Sequence, residues 1–221
     1  MIRAVGFDLD NTLYDQEQHV FPFFSASATL LSEETGVEPT IIESTFRRAW
    51  RTLGPSHPRL FDSVLDQCGI CDTQRVQTLV RMYHTYVSPL VAYPGVPSLL
   101  RRLQEKFLLF LITDGNAAMQ RRKIEGLGIA PLFRVVVFSA EQGCGLPKPN
   151  AAAFLNALRQ LQCAHGDCLY VGDNPGCDVV GAARAGMKTV RVLTGPFRNA
   201  TSEGIEPDFT INSVTDIEKV L

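Results

Sequence analysis

The 221-residue sequence lacks the usual features of membrane, secreted and nucleic-acid-binding proteins. Its apolar runs, such as 107–112 and 135–138, are far shorter than the roughly 20 residues that span a bilayer. Two aspartates interrupt the N-terminal apolar stretch where a secretory signal would continue. Lys and Arg total 21 against 23 Asp and Glu, so no basic excess points to nucleic acid. We expect a cytoplasmic monomer or homodimer with a small-molecule partner and no nucleic-acid or membrane partner.

Cysteine is also sparse, at six residues, which excludes a disulfide scaffold. One pair, Cys68-Gly-Ile-Cys71, has the spacing of a metal or redox motif. A zinc site needs two more ligands, and the sequence has no second C-x-x-C. A redox motif needs a strand-then-helix setting that lowers a thiol pKa, which is missing here. We favour small residues at a helix end and keep metal or redox use as the minor alternative.

What the sequence does contain is two regions of different pattern. Residues 2–7 form a short apolar run typical of a buried strand, and from about residue 93 strand-like and helical segments alternate. This alternation predicts an α/β fold with a doubly wound parallel sheet, built from residues 1–14 and 93–221. Between them, four segments of helical spacing at 23–35, 40–53, 59–67 and 73–87 are separated by Gly and Pro. They predict a small all-helical domain inserted at residues 15–92.

Several functional side chains follow the predicted strands. In doubly wound sheets, ligands bind beyond the carboxyl ends of the strands. Carboxylates favour Mg²⁺, whereas lysine and threonine suit phosphoryl oxygens. Each residue alone has an ordinary explanation as a helix cap or a solvated charge, but their order predicts a phosphoryl-transfer site that binds Mg²⁺. The candidates are Asp8, Asp10, Thr12, Thr113, Asp114, Lys148, Asp173 and Asp178.

The same residues carry a resemblance to a known family. Asp8-x-Asp10-x-Thr12, Thr113 after an apolar strand, Lys148-Pro149 and Gly172-Asp173, with Asp178 five residues on, resemble the motifs of the haloacid dehalogenase-like (HAD-like) hydrolases. The resemblance covers the predicted core and implies a Rossmann-like sheet. It also implies the phosphatase branch, with a helical cap domain inserted after the first motif.

The resemblance implies a two-step reaction. Asp8 would attack phosphorus and form an aspartyl-phosphate. Asp10 would act first as a general acid and then as a general base. Mg²⁺ would be held by the Asp8 carboxylate, the Asp10 backbone carbonyl and Asp173. Asp178 would lie behind these ligands and orient metal-bound water or Lys148, and Thr12 would also lie behind the ligands.

The resemblance also implies a site for the phosphoryl oxygens. Thr113, the backbone N–H of Asp114 and Lys148 would bind them. The family more often has Asn at position 114 and at position 177, where this sequence has Asp114 and Cys177. The extra charge of Asp114 is compatible with this role provided that its side chain points away from the phosphate.

Within the family, the residues favour a phosphatase of the nucleotidase or sugar-phosphate type. The family's dehalogenases lack an acidic residue where Asp10 stands. Phosphonate hydrolysis would need a lysine in the cap, and residues 15–92 contain none. A sugar phosphomutase and a non-catalytic module that binds a phosphorylated ligand remain as alternatives.

Side chains outside the core motifs are open to two interpretations. The inserted domain carries Arg47, Arg48 and Arg51 near several aromatic residues, and His19 near its start. We favour a solvated charged face over an aromatic core, with substrate contact as the alternative. On the helix predicted at 117–126, we place Gln120, Arg121 and Lys123 on an outward face. The architecture implies opening and closing of the cap, with hinges near 14–16 and 91–95.

Overall fold

Six parallel strands form one sheet in a computed structural model that describes residues 1–55, 57–141, 147–201 and 204–221. Numbered along the chain, they are β1 (Ala4–Phe7), β2 (Leu108–Thr113), β3 (Val135–Phe138), β4 (Cys168–Gly172), β5 (Lys188–Val192) and β6 (Phe209–Ile211). Their order is β3-β2-β1-β4-β5-β6. The chain builds outward on one side of β1 and then returns to β4 on the other side, which confirms the predicted doubly wound sheet.

Eight α-helices accompany these strands in the described part of the chain. They are α1 (Glu17–Thr35), α2 (Pro39–Leu53), α3 (Leu60–Gln67), α4 (Thr73–Thr85), α5 (Val96–Gln104), α6 (Ala117–Gly126), α7 (Ala152–Leu161) and α8 (Val180–Arg184). A π-helical turn, Pro175–Val179, leads into α8, and a closing 3₁₀-helix covers Val214–Lys219. Ser213 caps this last helix in a reciprocal capping box with Asp216. No helix in these ranges has the length and apolarity needed to cross a membrane.

The chain divides into two compact units, Met1–Gln16 with Leu90–Leu221 and Glu17–Pro89. In the first unit, successive side chains of each strand face opposite layers of helices. Val5 and Phe7 of β1 pack in the layer that contains α5, while Ala4 packs in the layer of α7 and α8. A Cβ on Gly6 would lie 2.2 Å from the ring of Phe110, so only glycine fits at the centre of β1.

The second unit is all-helical and its core is aromatic. The rings of Phe24 and Phe46 stack with centroids 4.8 Å apart, and Trp50 is buried beside them. The helix that was predicted to begin at residue 23 begins at Glu17 instead, with Pro22 inside it. Proline removes one backbone donor, but the earlier turns bury His19 and Val20, and this burial offsets the cost.

The two segments that frame the inserted unit are hydrogen-bonded to each other within the first unit. The Tyr93 N–H donates to the Leu13 carbonyl at 2.9 Å, and Tyr14 forms an antiparallel bridge with Ala92. Backbone pairing therefore holds the start and the end of the insert side by side.

Candidate active site

Asp8 lies at the carboxyl end of β1. This strand lies between β2 and β4, where the strand order of the sheet changes direction. Its backbone N–H donates to Val171 of the neighbouring β4 at 2.9 Å, which fixes the main chain. Its side chain is buried. One carboxylate oxygen accepts from Lys148 Nζ at 2.6 Å and the other accepts from the Thr12 hydroxyl at 3.2 Å. The carboxylate is thus held in a single orientation by Thr12, which is close in sequence, and by Lys148, which is distant in sequence.

Three buried carboxylates and a single ammonium meet at this strand edge. Oxygens of Asp8, Asp173 and Asp178 lie within 4.8 Å of one another, and Lys148 Nζ donates to Asp178 at 2.7 Å as well as to Asp8. Asp173 Oδ2 is buried and has no hydrogen-bond partner among the described residues. A buried carboxylate oxygen without a donor is costly. Negative charge in excess and an unpaired oxygen are the features that a bound divalent cation would satisfy.

The pKa values of this cluster reflect the same excess of negative charge. Burial raises the pKa of Asp8 from its ordinary 3.8 to about 7, with Lys148 opposing the shift and Asp178 adding to it. Burial, followed by repulsion from Asp8 and Asp178, raises the pKa of Asp173 well above its usual range. Burial also lowers the pKa of Lys148, but the attraction of Asp178 and Asp8 outweighs this and raises it well above the usual value. Lys148 is therefore an ammonium at neutral pH.

Asp10, two residues after Asp8, has different surroundings. Its Oδ1 accepts from Lys123 Nζ at 2.7 Å and from the Tyr14 hydroxyl, and its Oδ2 accepts from Gln120 Nε2 at 2.7 Å. Burial alone would raise the pKa of Asp10, but the charge of Lys123 and these hydrogen bonds lower it below the usual value. Three donors therefore hold the Asp10 carboxylate in one orientation.

The phosphate-binding candidates are joined by two side-chain contacts. Gln120 Nε2 donates to the Thr113 hydroxyl at the end of β2, so the same amide bridges Thr113 and Asp10. The Asp114 carboxylate accepts from the backbone N–H of Lys148 at 3.2 Å. This contact directs the Asp114 side chain to the Lys148 loop and gives its charge a structural partner.

The end of β4 places Asp178 through a close backbone approach. A Cβ on Gly172 would lie 2.3 Å from Asp178 Cγ, so glycine is required there. The Asn174 N–H donates to Asp178 at 3.1 Å, and the Asn174 side chain accepts from the N–H groups of Gly176 and Cys177. The loop after β4 is therefore built to direct one carboxylate at Lys148.

Two residues of the site were missed by the sequence analysis. Gln120 and Lys123 were placed on an outward face, but both are buried and both contact Asp10. Met119 and Ile124, the apolar neighbours of these residues, are buried on the same side of α6. The spacing 119, 120, 123 and 124 is that of one helix face, and this was the signal that could have found them.

In the helical unit, the arginines belong to a charged face over the aromatic core. Arg47 pairs with Glu43 at 2.6 Å and lies 4.0 Å from the ring centroid of Phe21. Arg51 lies 5.8 Å from the same ring, and Arg48 donates to Gln67. These contacts lie within the helical unit, and substrate contact by one of the arginines stays a prediction.

Known proteins resemble this chain in sequence and in fold. A sequence profile described as haloacid dehalogenase-like hydrolase matches residues 2–186. Glyceraldehyde 3-phosphate phosphatase of Methanopyrus kandleri is 34% identical over 230 residues, which cover 100% of this chain and 97% of that protein. Pyrimidine 5'-nucleotidase YjjG of Escherichia coli is 26% identical, covering 98% and 96%. The magnesium-bound structure of YfnB from Bacillus subtilis has a TM-score of 0.74 at 21% identity, covering 100% and 98%.

Proposed function

The chain belongs to the haloacid dehalogenase-like hydrolases and is a phosphatase of that family, and we propose that it hydrolyses the phosphate monoester of a small metabolite with Mg²⁺ through an aspartyl-phosphate. One observation carries the proposal. The buried Asp8 at the end of β1 pairs with Lys148. Asp10, two residues later, pairs with a different lysine, Lys123. A nucleophile and a proton donor of the same chemical type are thereby kept in distinct environments.

In the first step, an Asp8 oxygen forms a bond to phosphorus while the bond from phosphorus to the leaving oxygen breaks. Asp10 supplies the proton that the leaving oxygen takes. In the second step, Asp10 accepts a proton from water as the water oxygen attacks the aspartyl-phosphate and releases Asp8 and inorganic phosphate. Lys148, with Thr113 and the Asp114 N–H, binds the phosphoryl oxygens and attracts the anionic group to Asp8.

The residues present fit a divalent cation, because Asp173 has an unpaired buried oxygen and the cluster has more carboxylates than cations. Asp8, Asp173 and the Asp10 carbonyl would hold it, with Asp178 and Thr12 orienting Lys148 and Asp8. When bound, Mg²⁺ would offset the repulsion between the anionic nucleophile and the anionic substrate. YfnB, which shares the fold, was solved bound to magnesium.

For the substrate, we propose a phosphorylated three-carbon aldehyde or alcohol, because a full-length relative is named glyceraldehyde 3-phosphate phosphatase. A pyrimidine nucleoside monophosphate is the second candidate, because YjjG also matches over nearly the whole chain. We further propose that the helical unit Glu17–Pro89 acts as the cap that sets substrate choice, and that the enzyme works in the cytoplasm. The five described cysteines are free thiols, which supports a reducing compartment.

The test is phosphate release from a panel that includes glyceraldehyde 3-phosphate, nucleoside monophosphates and hexose phosphates, with Mg²⁺ or with chelator. We expect Mg²⁺-dependent release by the wild-type protein and none by Asp8→Asn. A transient ³²P label on the wild-type protein, absent from the variant, would identify the aspartyl-phosphate. Transfer of phosphate between two positions of a hexose without release would favour a mutase. Saturable binding of these compounds without turnover would favour a binding module.

A further inference from the structure

Asp10 has an uneven distribution of hydrogen-bond donors over its two oxygens. A carboxylate offers about four lone-pair positions, two on each oxygen. Oδ1 accepts from Lys123 Nζ and from the Tyr14 hydroxyl, which occupies both of its positions. Oδ2 accepts from Gln120 Nε2 alone among the described residues. One lone-pair position therefore remains open, and it lies on Oδ2.

The donors themselves are rigid. Lys123 and Gln120 project from one face of α6 and are 3% and 1% exposed. The Gln120 amide also donates to Thr113, so it cannot rotate without losing two hydrogen bonds at once. Its orientation is unambiguous for Asp10, because the reversed amide would place an oxygen against a carboxylate. The Asp10 side chain is 19% exposed, so it is only partly buried, unlike its two donors on α6.

From this geometry we propose that Lys123 and Gln120 are positioning residues that turn Asp10 so that Oδ2 carries the proton exchanged with the substrate and with water. The inference rests on the proposed phosphatase reaction. In the first step, the Oδ2–H bond breaks and its proton goes to the leaving oxygen as the phosphorus–oxygen bond of the substrate breaks. In the second step, Oδ2 takes the proton from water while the water oxygen bonds to phosphorus. Lys123 and Tyr14 remain on Oδ1 throughout.

The bridge to Thr113 gives the arrangement a second consequence. The Gln120 amide donates both to Asp10 Oδ2 and to the Thr113 hydroxyl, which we propose binds a phosphoryl oxygen. The amide therefore fixes the position of Oδ2 relative to the bound phosphoryl group. α6 thereby links proton transfer to substrate position.

The decisive experiment compares two leaving groups in Lys123→Met. Departure of an alkoxide needs a proton, whereas departure of p-nitrophenolate does not. We expect kcat of the variant to fall on the order of 100-fold for glyceraldehyde 3-phosphate, or for the best alkyl phosphate of the panel, and much less for p-nitrophenyl phosphate, at nearly unchanged KM. Arg121→Met is the matched control, because it removes the same charge from an exposed position on the same helix. We expect it to behave as wild type on both compounds.

Equal loss on both leaving groups, or no loss on either, would overturn the positioning role. Gln120→Met provides a second test if Lys123→Met does not fold. This change also removes a buried amide oxygen that has no partner among the described residues, so its effect on stability is modest. We expect a smaller loss with the same preference for alkyl phosphates, and an unselective loss would overturn the inference.

Two reference measurements separate this inference from the proposed function. If the wild-type protein releases no phosphate from either compound, the proposed function fails and the inference fails with it. If the wild type is active but Asp10→Asn shows no selective loss on the alkyl phosphate, Asp10 is not the proton donor. The inference then falls together with the Asp10 step of the mechanism, while the phosphatase activity stands.

Discussion

The surroundings of Asp8 and Asp10 differ although the two residues are separated by a single leucine. Around Asp8, one ammonium faces three buried carboxylates and one oxygen of Asp173 is left without a donor. Around Asp10, one ammonium and two neutral donors face a single carboxylate. The first side needs a further cation, and the second is already neutralised by the protein's own side chains.

This difference shows how one short motif can provide two chemistries. The Asp8 side chain meets Lys148 and Thr12, whereas the Asp10 side chain meets residues of α6. The resulting pKa shifts are opposite, raised to about 7 for Asp8 and lowered for Asp10. The two carboxylates therefore differ in their pKa because of their surroundings and not because of their residue type.

Loss of the ion pair between Asp10 and Lys123 has the largest expected effect on stability. Asp10→Asn leaves the Lys123 ammonium, 3% exposed, without a counterion. We expect the free energy of unfolding to fall by about 3 kcal/mol, the lower end for a buried pair that loses one partner. Urea denaturation measures this. The double variant Asp10→Asn with Lys123→Met should recover part of the loss, and additive losses would show that the two residues are not coupled.

The excess of negative charge should make the stability of the metal-free protein depend on pH. The raised pKa values of Asp8, Asp173 and Asp178 mean that the folded state binds more protons than the unfolded state between pH 3.8 and about 7. Stability is therefore lost as the pH rises through this window. Asp10, with its lowered pKa, contributes stability that is complete above 3.8 and adds no slope there.

Mg²⁺ should offset the loss of stability that the metal-free protein shows as the pH rises. At 100 times its Kd, a cation that binds only the folded state adds about 2.7 kcal/mol, and the gain should be larger at about pH 7.5 than at about pH 5. Thermal unfolding with Mg²⁺, with chelator and with NaCl of matched ionic strength measures this. An equal effect of NaCl would assign the stabilisation to screening alone.

Asp173→Asn should sharpen the comparison by separating activity from stability. The change removes one of three mutually repelling carboxylates, so the metal-free protein should become slightly more stable at neutral pH. Mg²⁺ affinity, measured by titration calorimetry, should fall by about 10- to 100-fold or more, and activity should fall with it. Asp167→Asn, at the other end of β4, is the control for the loss of one charge. A loss of stability in Asp173→Asn would contradict the charge excess.

The last variant tests the placement of Asp178. Gly172→Ala puts a methyl group where Asp178 now lies, at 2.3 Å from its Cγ. We expect a loss of about 1–3 kcal/mol from overpacking and reduced activity from the displaced carboxylate. In Gly176→Ala the added Cβ meets its nearest atom at 3.5 Å, which is ordinary contact, so this control should be tolerated. Similar losses in both variants would show that the loop as a whole, and not the Asp178 contact, is sensitive.

The sequence allowed the fold and the carboxylate cluster to be anticipated for one reason. Parallel strands end at one edge, so Asp8 after β1 and Asp173 after β4 had to be neighbours once the strands were recognised. The catalytic roles of these residues stay predictions until the variants are measured.

What the sequence did not reveal depends on packing between distant segments. The charge on Lys123 suggested solvent, and only the placement of α6 against the end of β2 brings it to Asp10. The start of α1 was missed because Pro22 disfavours a helix locally, while burial of the earlier residues favours it. The contact of Asp114 with the Lys148 N–H likewise joins residues 34 positions apart.

The hydrogen bond between Tyr93 and Leu13 has a consequence for how such chains diversify. The core itself pairs the two ends of the insert by hydrogen bonds. The fold of the sheet therefore depends on the meeting of these ends and not on the sequence between them. Loop-closure entropy grows so slowly that doubling the insert would cost the core only about 0.6 kcal/mol. Evolution can therefore lengthen, shorten or exchange the inserted segment as a cassette, while the chemistry at the strand edge is inherited unchanged.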